Sequence, residues 1–373
     1  MAMKRKLCEI EDTCVTKKAY KENDADYNKQ YFNSYNHLDC HFTMISDFAR
    51  TSAYQRSIFR SYRHIFKRRV LDIGSGTGIL SVFAAQMGAT KVFAIEASHP
   101  VSAASRELVN ANQFCDKIEV LSGECERFID ENVLLEGEKV DILISEWMGY
   151  TLLSEWMLES VLYARDKLLK PNGLIIPSNA RLFMAPVTRP EWLNERGEEW
   201  RDIGDVYKIN SGTLSSSYYK SLCGRMVIHQ LQPTDIIANA CTVLDLNIAT
   251  MPTSAIPSNS NATSTSENQL KSKFSFCGFG MSEMYGFGLW FDVDLPPDVK
   301  LSTSPYAEQQ THWEQTMLYL NEPIEIEQDT LIEGNVEFLK SNRNCRCLKI
   351  KLNFKIGSDS KVHSYCFDEV ESE

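Results

Sequence analysis

Two glutamates nine positions apart, Glu146 and Glu155, lie in the stretch "SEWMGYTLLSEWM". Paired carboxylates can grip one cation from two sides if the chain between them folds back. Glu146 directly follows the apolar run "VDILIS", and open α/β sheets gather their ligands outside the carboxyl ends of such strands. Glu155 opens the amphipathic stretch "LLSEWMLESVLYARDKLL", read as one helix stopped by Pro171-Asn172-Gly173, and Gly149 permits a hairpin-like loop between the two acids. The same residues read equally well as a surface acid followed by a helix N-terminal acid, which the helix dipole favours.

A second constellation precedes it. "VLDIGSGTGIL" sets Gly74, Gly76 and Gly78 between a strand and a helix, where glycine allows a tight turn and lets a ligand touch backbone. Glu96 closes the next strand, "VFAIE", where an acid can accept hydrogen bonds from ribose hydroxyls. An adenosine-type cofactor follows. The order G-x-G-x-G, preceded by Asp72, departs from the G-x-G-x-x-G of dinucleotide sites. An anion beside a pyrophosphate is unfavourable, whereas Asp72 suits a ligand bearing an ammonium group. S-adenosylmethionine, with an amine and a sulfonium, fits that charge logic; a nicotinamide dehydrogenase is the alternative.

These residues need a scaffold. The runs "RVLDIG", "KVFAIE", "KIEVLS", "VDILIS" and "GLIIPS" read as buried strands alternating with helical patterns, a doubly wound α/β domain with a mostly parallel sheet. Upstream, residues 27–66 read as helices packed on that domain, and residues 1–26 as a flexible basic N-terminus. Beyond Pro177 the pattern changes to alternating strands such as "MYGFGLWFDVDL" and "LKIKLNFKI", an antiparallel sheet or barrel over residues 178–373. It is interrupted by a helical, Trp-bearing excursion, "RPEWLNERGEEWRDIGDVY", which is either a contact to another subunit or a helical cap. The polar stretch "TSAIPSNSNATSTSENQ" reads as a loop.

Composition narrows the partners. A formal charge of −11 and a pI near 5.3 disfavour direct nucleic-acid binding and favour Arg- and Lys-rich partners. The 11 cysteines are odd in number and form no CxxC, and the 7 histidines lack metal-ligand spacing, so reduced thiols and no metal are expected. No signal-like apolar region follows Met1 and no apolar run suits a membrane span; a soluble, non-secreted chain is expected. Lys4-Arg5-Lys6 and Lys17-Lys18 have the pattern of a bipartite nuclear-import signal, or of a solvated basic end.

In combination, "VLDIGSGTGILS", "KVFAIEAS", "ISEWMGY" and "THW" resemble the protein arginine N-methyltransferases, from about Tyr27 nearly to the C-terminus. The resemblance implies a Rossmann-like S-adenosylmethionine-dependent domain, a β-barrel domain, a helical dimerisation arm inserted at about residues 188–222, and a ring-like homodimer. By position it assigns Tyr31, Phe32, His41, Met44, Arg50, Asp72, Gly74, Gly76, Glu96 and Glu126 to the cofactor. Arg50 would meet the methionine carboxylate and Glu126, in "GECE", the adenine amino group; without the resemblance Glu126 is an ordinary exposed acid. It implies that Glu146 and Glu155 grip the substrate guanidinium, that Tyr35, Met157 and Trp313 bind substrate, and that His312 pairs with Asp47. That last pair is either a proton relay or a clasp between domains.

Met44, Met157 and "THW" fall where type I members, which form asymmetric dimethylarginine, carry them; a flexible thioether leaves room for a second methyl group, although methionine is also a common core filler. "MYGFGLWF", "LSTSP" and "YLNEPIEIEQDT" set the chain beside one type I subgroup, implying an enzyme of the nucleus, with the cytoplasm as a second compartment, acting on histone tails. Phe42 and Thr43 depart from the two acidic residues the family carries after His41. A cofactor-binding scaffold without turnover is a different class of function, and intact Glu146, Glu155 and His312 argue against it.

Overall fold

The runs "RVLDI", "KVFAI" and "VDILIS" are buried along nearly their whole length, as strands covered on both faces must be. In the computed structural model, which describes residues 27–132, 139–257, 270–341, 344–357 and 359–366, they form the centre of a five-stranded parallel sheet. Its strands are β1 (Arg69–Ile73), β2 (Lys91–Glu96), β3 (Ile118–Ser122), β4 (Val140–Ser145) and β5 (Leu169–Ile176), in the order β3-β2-β1-β4-β5. The order reverses between β1 and β4, so the turn after β1 and Glu146 after β4 flank the switch point where such sheets bind ligands.

Among the described residues four helices precede the sheet: residues 27–34 (α1), α2 (Leu38–Ser46), α3 (Phe48–Arg60) and α4 (Tyr62–Ile65). Asp47 caps α3, its carboxylate accepting from the Arg50 amide at 3.0 Å, and Ala53, Tyr54 and Ile58 turn one face of α3 into the core. Between the strands run α5 (Ile79–Gln86), α6 (His99–Ala111) and α7 (Cys125–Asp130).

The stretch expected as one helix from Leu152 divides. Helix α8 occupies only Leu158–Leu168, and Thr151, Leu152, Glu155 and Trp156 have φ of 53°, 66°, 72° and 55°. Leu152, Leu153 and Trp156 supply a helix-like apolar spacing, yet they are buried by a tight reversal in which the Gly149 amide bonds the Leu152 carbonyl. A Cβ on Gly149 would lie 2.2 Å from the Ser154 carbonyl oxygen, so the reversal requires glycine there. Pro171-Asn172-Gly173 lies within β5, opposite an irregularity of register with β4, rather than at the helix end.

The second half contains two antiparallel sheets. One orders β7-β12-β10-β6-β8, with β11 pairing β10; the other orders β15-β14-β13-β9. The strands are β6 (Asn179–Val187), β7 (Met226–His229), β8 (Cys241–Asn247), β9 (Lys271–Cys277), β10 (Ser282–Leu295), β11 (Val299–Ser302), β12 (Gln315–Ile326), β13 (Leu331–Lys340), β14 (Leu348–Ile356) and β15 (Asp359–Cys366). Phe274, Phe276, Phe287 and Phe354 pack edge to face or tilted between the sheets, in a core continuous with that of the parallel sheet.

Strand β10, expected to alternate, is buried on both faces. Its Phe287, Leu289 and Phe291 face the main core, while Tyr285 and Trp290 join a second cluster with Leu193 and Leu222. That second cluster is the base of the helical excursion between β6 and β7, which consists of α9 (Glu191–Tyr207) and α10 (Leu214–Leu222). Its far end leaves Val206, Tyr207 and Ile209 exposed at 72%, 71% and 60%.

Candidate active site

At the switch point a cavity of about 1000 Å³ opens between the two halves, bounded by the turn after β1, the ends of β2 and β4, helices α1 and α2, and β7 with His312 and Trp313. Gly74, Gly76 and Gly78 have φ of 64°, 54° and 84°. A Cβ on Gly74 would lie 2.3 Å from Met157 Cε, and one on Gly76 would lie 3.2 Å from His41 Nδ1. The turn therefore needs glycine for conformation and for space. Glu96 binds it from below, accepting from the Gly76 amide at 2.9 Å and the Ser98 amide at 2.7 Å. Burial pushes the Glu96 carboxyl up, while those amides draw it back.

Asp72 does not line the cavity, contrary to the expectation that it meets the ligand's ammonium group. It is wholly buried, with Oδ2 accepting from Ser81 Oγ of α5 at 2.6 Å, and burial raises it to about 7. Strand alternation sets Asp72 on the face opposite Ile73, and there its carboxylate meets Ser81 of α5. Ser75 does line the cavity, and its buried Oγ has no partner among the described residues. An orphaned hydroxyl, a glycine cradle and a strand-end carboxylate fit a polar nucleoside ligand.

The acidic pair faces this turn. Arg50, from α3, donates to Glu146 Oε2 through Nε at 3.1 Å and Nη2 at 2.6 Å, and through Nη1 to the Met44 carbonyl at 3.1 Å. Burial would lower the Arg50 guanidinium, but Glu146 more than restores it. The guanidinium expected at the cofactor carboxylate is bonded here to Glu146. Glu155 accepts from the Tyr35 hydroxyl of the α1–α2 segment at 2.9 Å on each oxygen. Burial raises its carboxyl to about 7, against the lowering effect of the Tyr35 and Tyr31 hydroxyls; Glu146 adds to the rise and Arg346 opposes it.

Asp47 joins the halves: its Oδ2 accepts from the His312 amide at 2.9 Å and Nδ1 at 2.7 Å. Burial alone would raise the Asp47 carboxyl, yet the bonds from His312 and Arg50 hold it below its usual range. Trp313 is buried, its indole N–H donating to the Met148 carbonyl at 2.8 Å. Tyr31, Phe32, His41, Met44, Glu126 and Met157 line the cavity, with His41 Nε2 2.9 Å from the Tyr35 carbonyl. Thr43 lines it too, while Phe42 is 72% exposed.

Residues 178–359 match the arginine methyltransferase oligomerization subdomain family, and residues 60–179 match the ribosomal protein L11 methyltransferase (PrmA) family. Protein arginine N-methyltransferase 6 of Xenopus laevis is 38% identical over 91% of this chain and 95% of its own; that of Danio rerio is 36% identical over 90% and 92%. Among solved structures, the Trypanosoma brucei PRMT1 enzyme-prozyme heterotetrameric complex with AdoHcy superposes with a TM-score of 0.74. It is 28% identical, and the match covers 90% of this chain and all of that one. The crystal structure of PRMT6-SAH superposes at 0.71, also at 28% identity, over 86% of this chain and all of that one. This chain belongs to the protein arginine N-methyltransferase family. It is an S-adenosylmethionine-dependent methyltransferase of protein arginine, similar to the members numbered 6, the subgroup to which "MYGFGLWF" and "YLNEPIEIEQDT" pointed.

One residue at this methyltransferase site escaped the sequence reading. Arg346, in the turn between β13 and β14, donates through Nη1 to the Glu155 carbonyl at 3.0 Å and lines the cavity. Nothing in "NCRCLKI" marks it, because its partners lie far away in the chain. No cluster of ligating side chains suited to a metal ion occurs among the described residues.

Proposed function

We propose that Glu146 and Glu155 hold the substrate guanidinium, that the product is asymmetric dimethylarginine, and that the enzyme works as a homodimer on basic tails such as those of histones. The observation that carries this reading is the convergence of two carboxylates on one cavity opposite the glycine turn, each fixed by its own donor, Arg50 or Tyr35.

S-adenosylmethionine bound on the turn supplies an electrophilic methyl group. Gly74 and Gly76 admit the ligand to the backbone, with Glu96 and Glu126 as its hydrogen-bond acceptors. A guanidinium has a pKa of roughly 13.8, so its nitrogens are poor nucleophiles while the charge is delocalised. Glu146 and Glu155 accept its N–H groups, draw positive charge towards those nitrogens and leave one terminal nitrogen free to attack. Holding that nitrogen in line supplies the proximity contribution, and the fixed carboxylates supply the electrostatic one. One proton leaves per methyl transferred. His312, paired with Asp47, and Glu155, whose carboxyl is pushed up to about 7, are the candidates to receive it. Met44 and Met157 border the cavity with flexible thioethers that leave room for a second methyl group.

The net charge of −11 supports a basic substrate. The basic clusters at Lys4–Lys6 and Lys17-Lys18 support a nuclear location, with the cytoplasm as a second compartment; both lie outside the described residues. Apolar residues exposed at the end of the excursion, and a second apolar surface at Leu38, Phe42 and Phe48, support an arm that docks on another copy.

The test is a methyl-transfer assay with an arginine-containing histone peptide and its lysine-substituted twin, products read by mass spectrometry. Transfer to the arginine peptide alone, with both methyl groups on one nitrogen, is expected. Transfer to lysine, or exclusively symmetric product, would reject the reading.

A further inference from the structure

Arg346 makes more of the site than a single bond. Its Nε donates to Asn28 Oδ1 at 2.7 Å, and its guanidinium carbon lies 4.4 Å from the ring centre of Tyr31 and 5.5 Å from that of Phe32. All three belong to α1, the helix that closes one side of the cavity. On its other side Nη1 donates to the Glu155 carbonyl, and the Glu155 amide donates back to the Arg346 carbonyl at 2.9 Å. Both main-chain polar groups of Glu155 are therefore held by one residue of the β-sheet half.

Glu155 needs that support. Its φ of 72° lies in the left-handed region, which costs a residue with a Cβ free energy unless the surroundings impose it. The conformation aims the carboxylate at the Tyr35 hydroxyl, which itself follows α1. Only a planar, multidentate group can bond two acceptors and stack on two rings at once, and lysine cannot do all of this.

We propose that Arg346 is a positioning residue that couples the seating of α1 over the cavity to the orientation of Glu155. The inference rests on the proposed role of Glu155 in holding the substrate. Cofactor and substrate gain a closed wall in the same event that sets the second carboxylate, so α1 that is not seated leaves Glu155 misdirected. Besides Arg346, the ionisable groups facing Glu155 are Tyr31 and Tyr35 from α1 and the following turn, and Glu146 from the end of β4, which Arg50 pairs.

The experiment compares Arg346→Ala and Arg346→Lys with the parent and with Glu155→Gln. It measures kcat/KM for the arginine peptide against pH at saturating S-adenosylmethionine, and amide exchange of residues 27–34 with S-adenosylhomocysteine bound. Both Arg346 variants are expected to lose about 100-fold in kcat/KM, the scale of a small misplacement of a reacting group, and to exchange faster in α1. In Arg346→Ala the acidic limb also moves to higher pH, since the opposing cation is gone; Arg346→Lys, which retains charge and bulk, keeps the limb near the parent's. Parent-like kcat/KM in both variants overturns the proposal, as does a lowered melting temperature with unchanged turnover and unchanged exchange in α1. If Glu155→Gln turns over like the parent, the role assigned to Glu155 fails instead, and the exchange of residues 27–34 still reports whether Arg346 seats the helix.

Discussion

Glu146 and Glu155 differ in their partners although the sequence writes them alike. Glu146 is ion-paired with buried Arg50 at 2.6 Å, whereas Glu155 has two phenols, a neighbouring carboxylate and, opposing that carboxylate, Arg346. Burial, with that carboxylate beside it, pushes the Glu155 carboxyl up to about 7. In the proposed reaction it acts as a carboxylate, so kcat/KM should be low below pH about 7 and rise through that value as the proton leaves. Tyr35→Phe removes a hydrogen bond that favours the charged form, so its limb should lie at higher pH than the parent's; a limb that stays in place would assign the titration to another group. Glu146→Gln keeps the shape but removes the charge. It should lose about 2.7–4 kcal/mol of transition-state stabilisation, the scale of one preorganised electrostatic contact, read as kcat/KM on the arginine peptide. Near-normal turnover would remove Glu146 from the site.

Elements turn these single residues into a constellation, and Asp47 illustrates how. One carboxylate caps α3, which carries Arg50, and bonds both the amide and the ring of His312. Asp47→Asn keeps the cap, since Asn and Asp serve equally there, while Asp47→Ala loses about 1 kcal/mol of capping as well. Both also lose a charge-assisted bond worth about 1.5–3 kcal/mol. Denaturant unfolding should rank parent, then Asn, then Ala; equal stabilities for Asn and Ala would show that the cap contributes nothing. The parallel strands and the glycine turn were legible in the sequence because buried strands write continuous apolar runs and a tight turn demands glycine. The start of α8 was not, since Leu152, Leu153 and Trp156 are buried by a loop while keeping helical spacing. Nor was the shielding of β10, whose second face is covered by the base of the inserted helices. Arg346 was invisible for a plainer reason: its meaning lies in Asn28, Tyr31 and Glu155, and proximity across the fold leaves no local pattern.

At the scale of the molecule, two groups of exposed apolar residues stand close together in sequence, at the end of the excursion and at α2 with the start of α3. The excursion carries 17 residues in α9, about 25 Å of helix, with Val206, Tyr207 and Ile209 exposed at its end; α2 and the start of α3 expose Phe42 at 72% and Phe48 at 78%. Two copies related by a two-fold axis can bury both surfaces twice, because each contributes one arm and one face, and the contact then closes without leaving an open end. Such an assembly binds the folded chain only, so unfolding of the parent should shift to higher temperature with concentration. Val206→Glu with Tyr207→Glu places two charges where apolar area would be buried. These residues are solvent-facing in the single chain, so its own stability should change by no more than about 0.5 kcal/mol. Light scattering should show half the parent's mass, and the melting temperature should lose its dependence on concentration. If the parent already has the mass of one chain, or if the charged variant keeps the doubled mass, the excursion is a cap on β10 and not an arm.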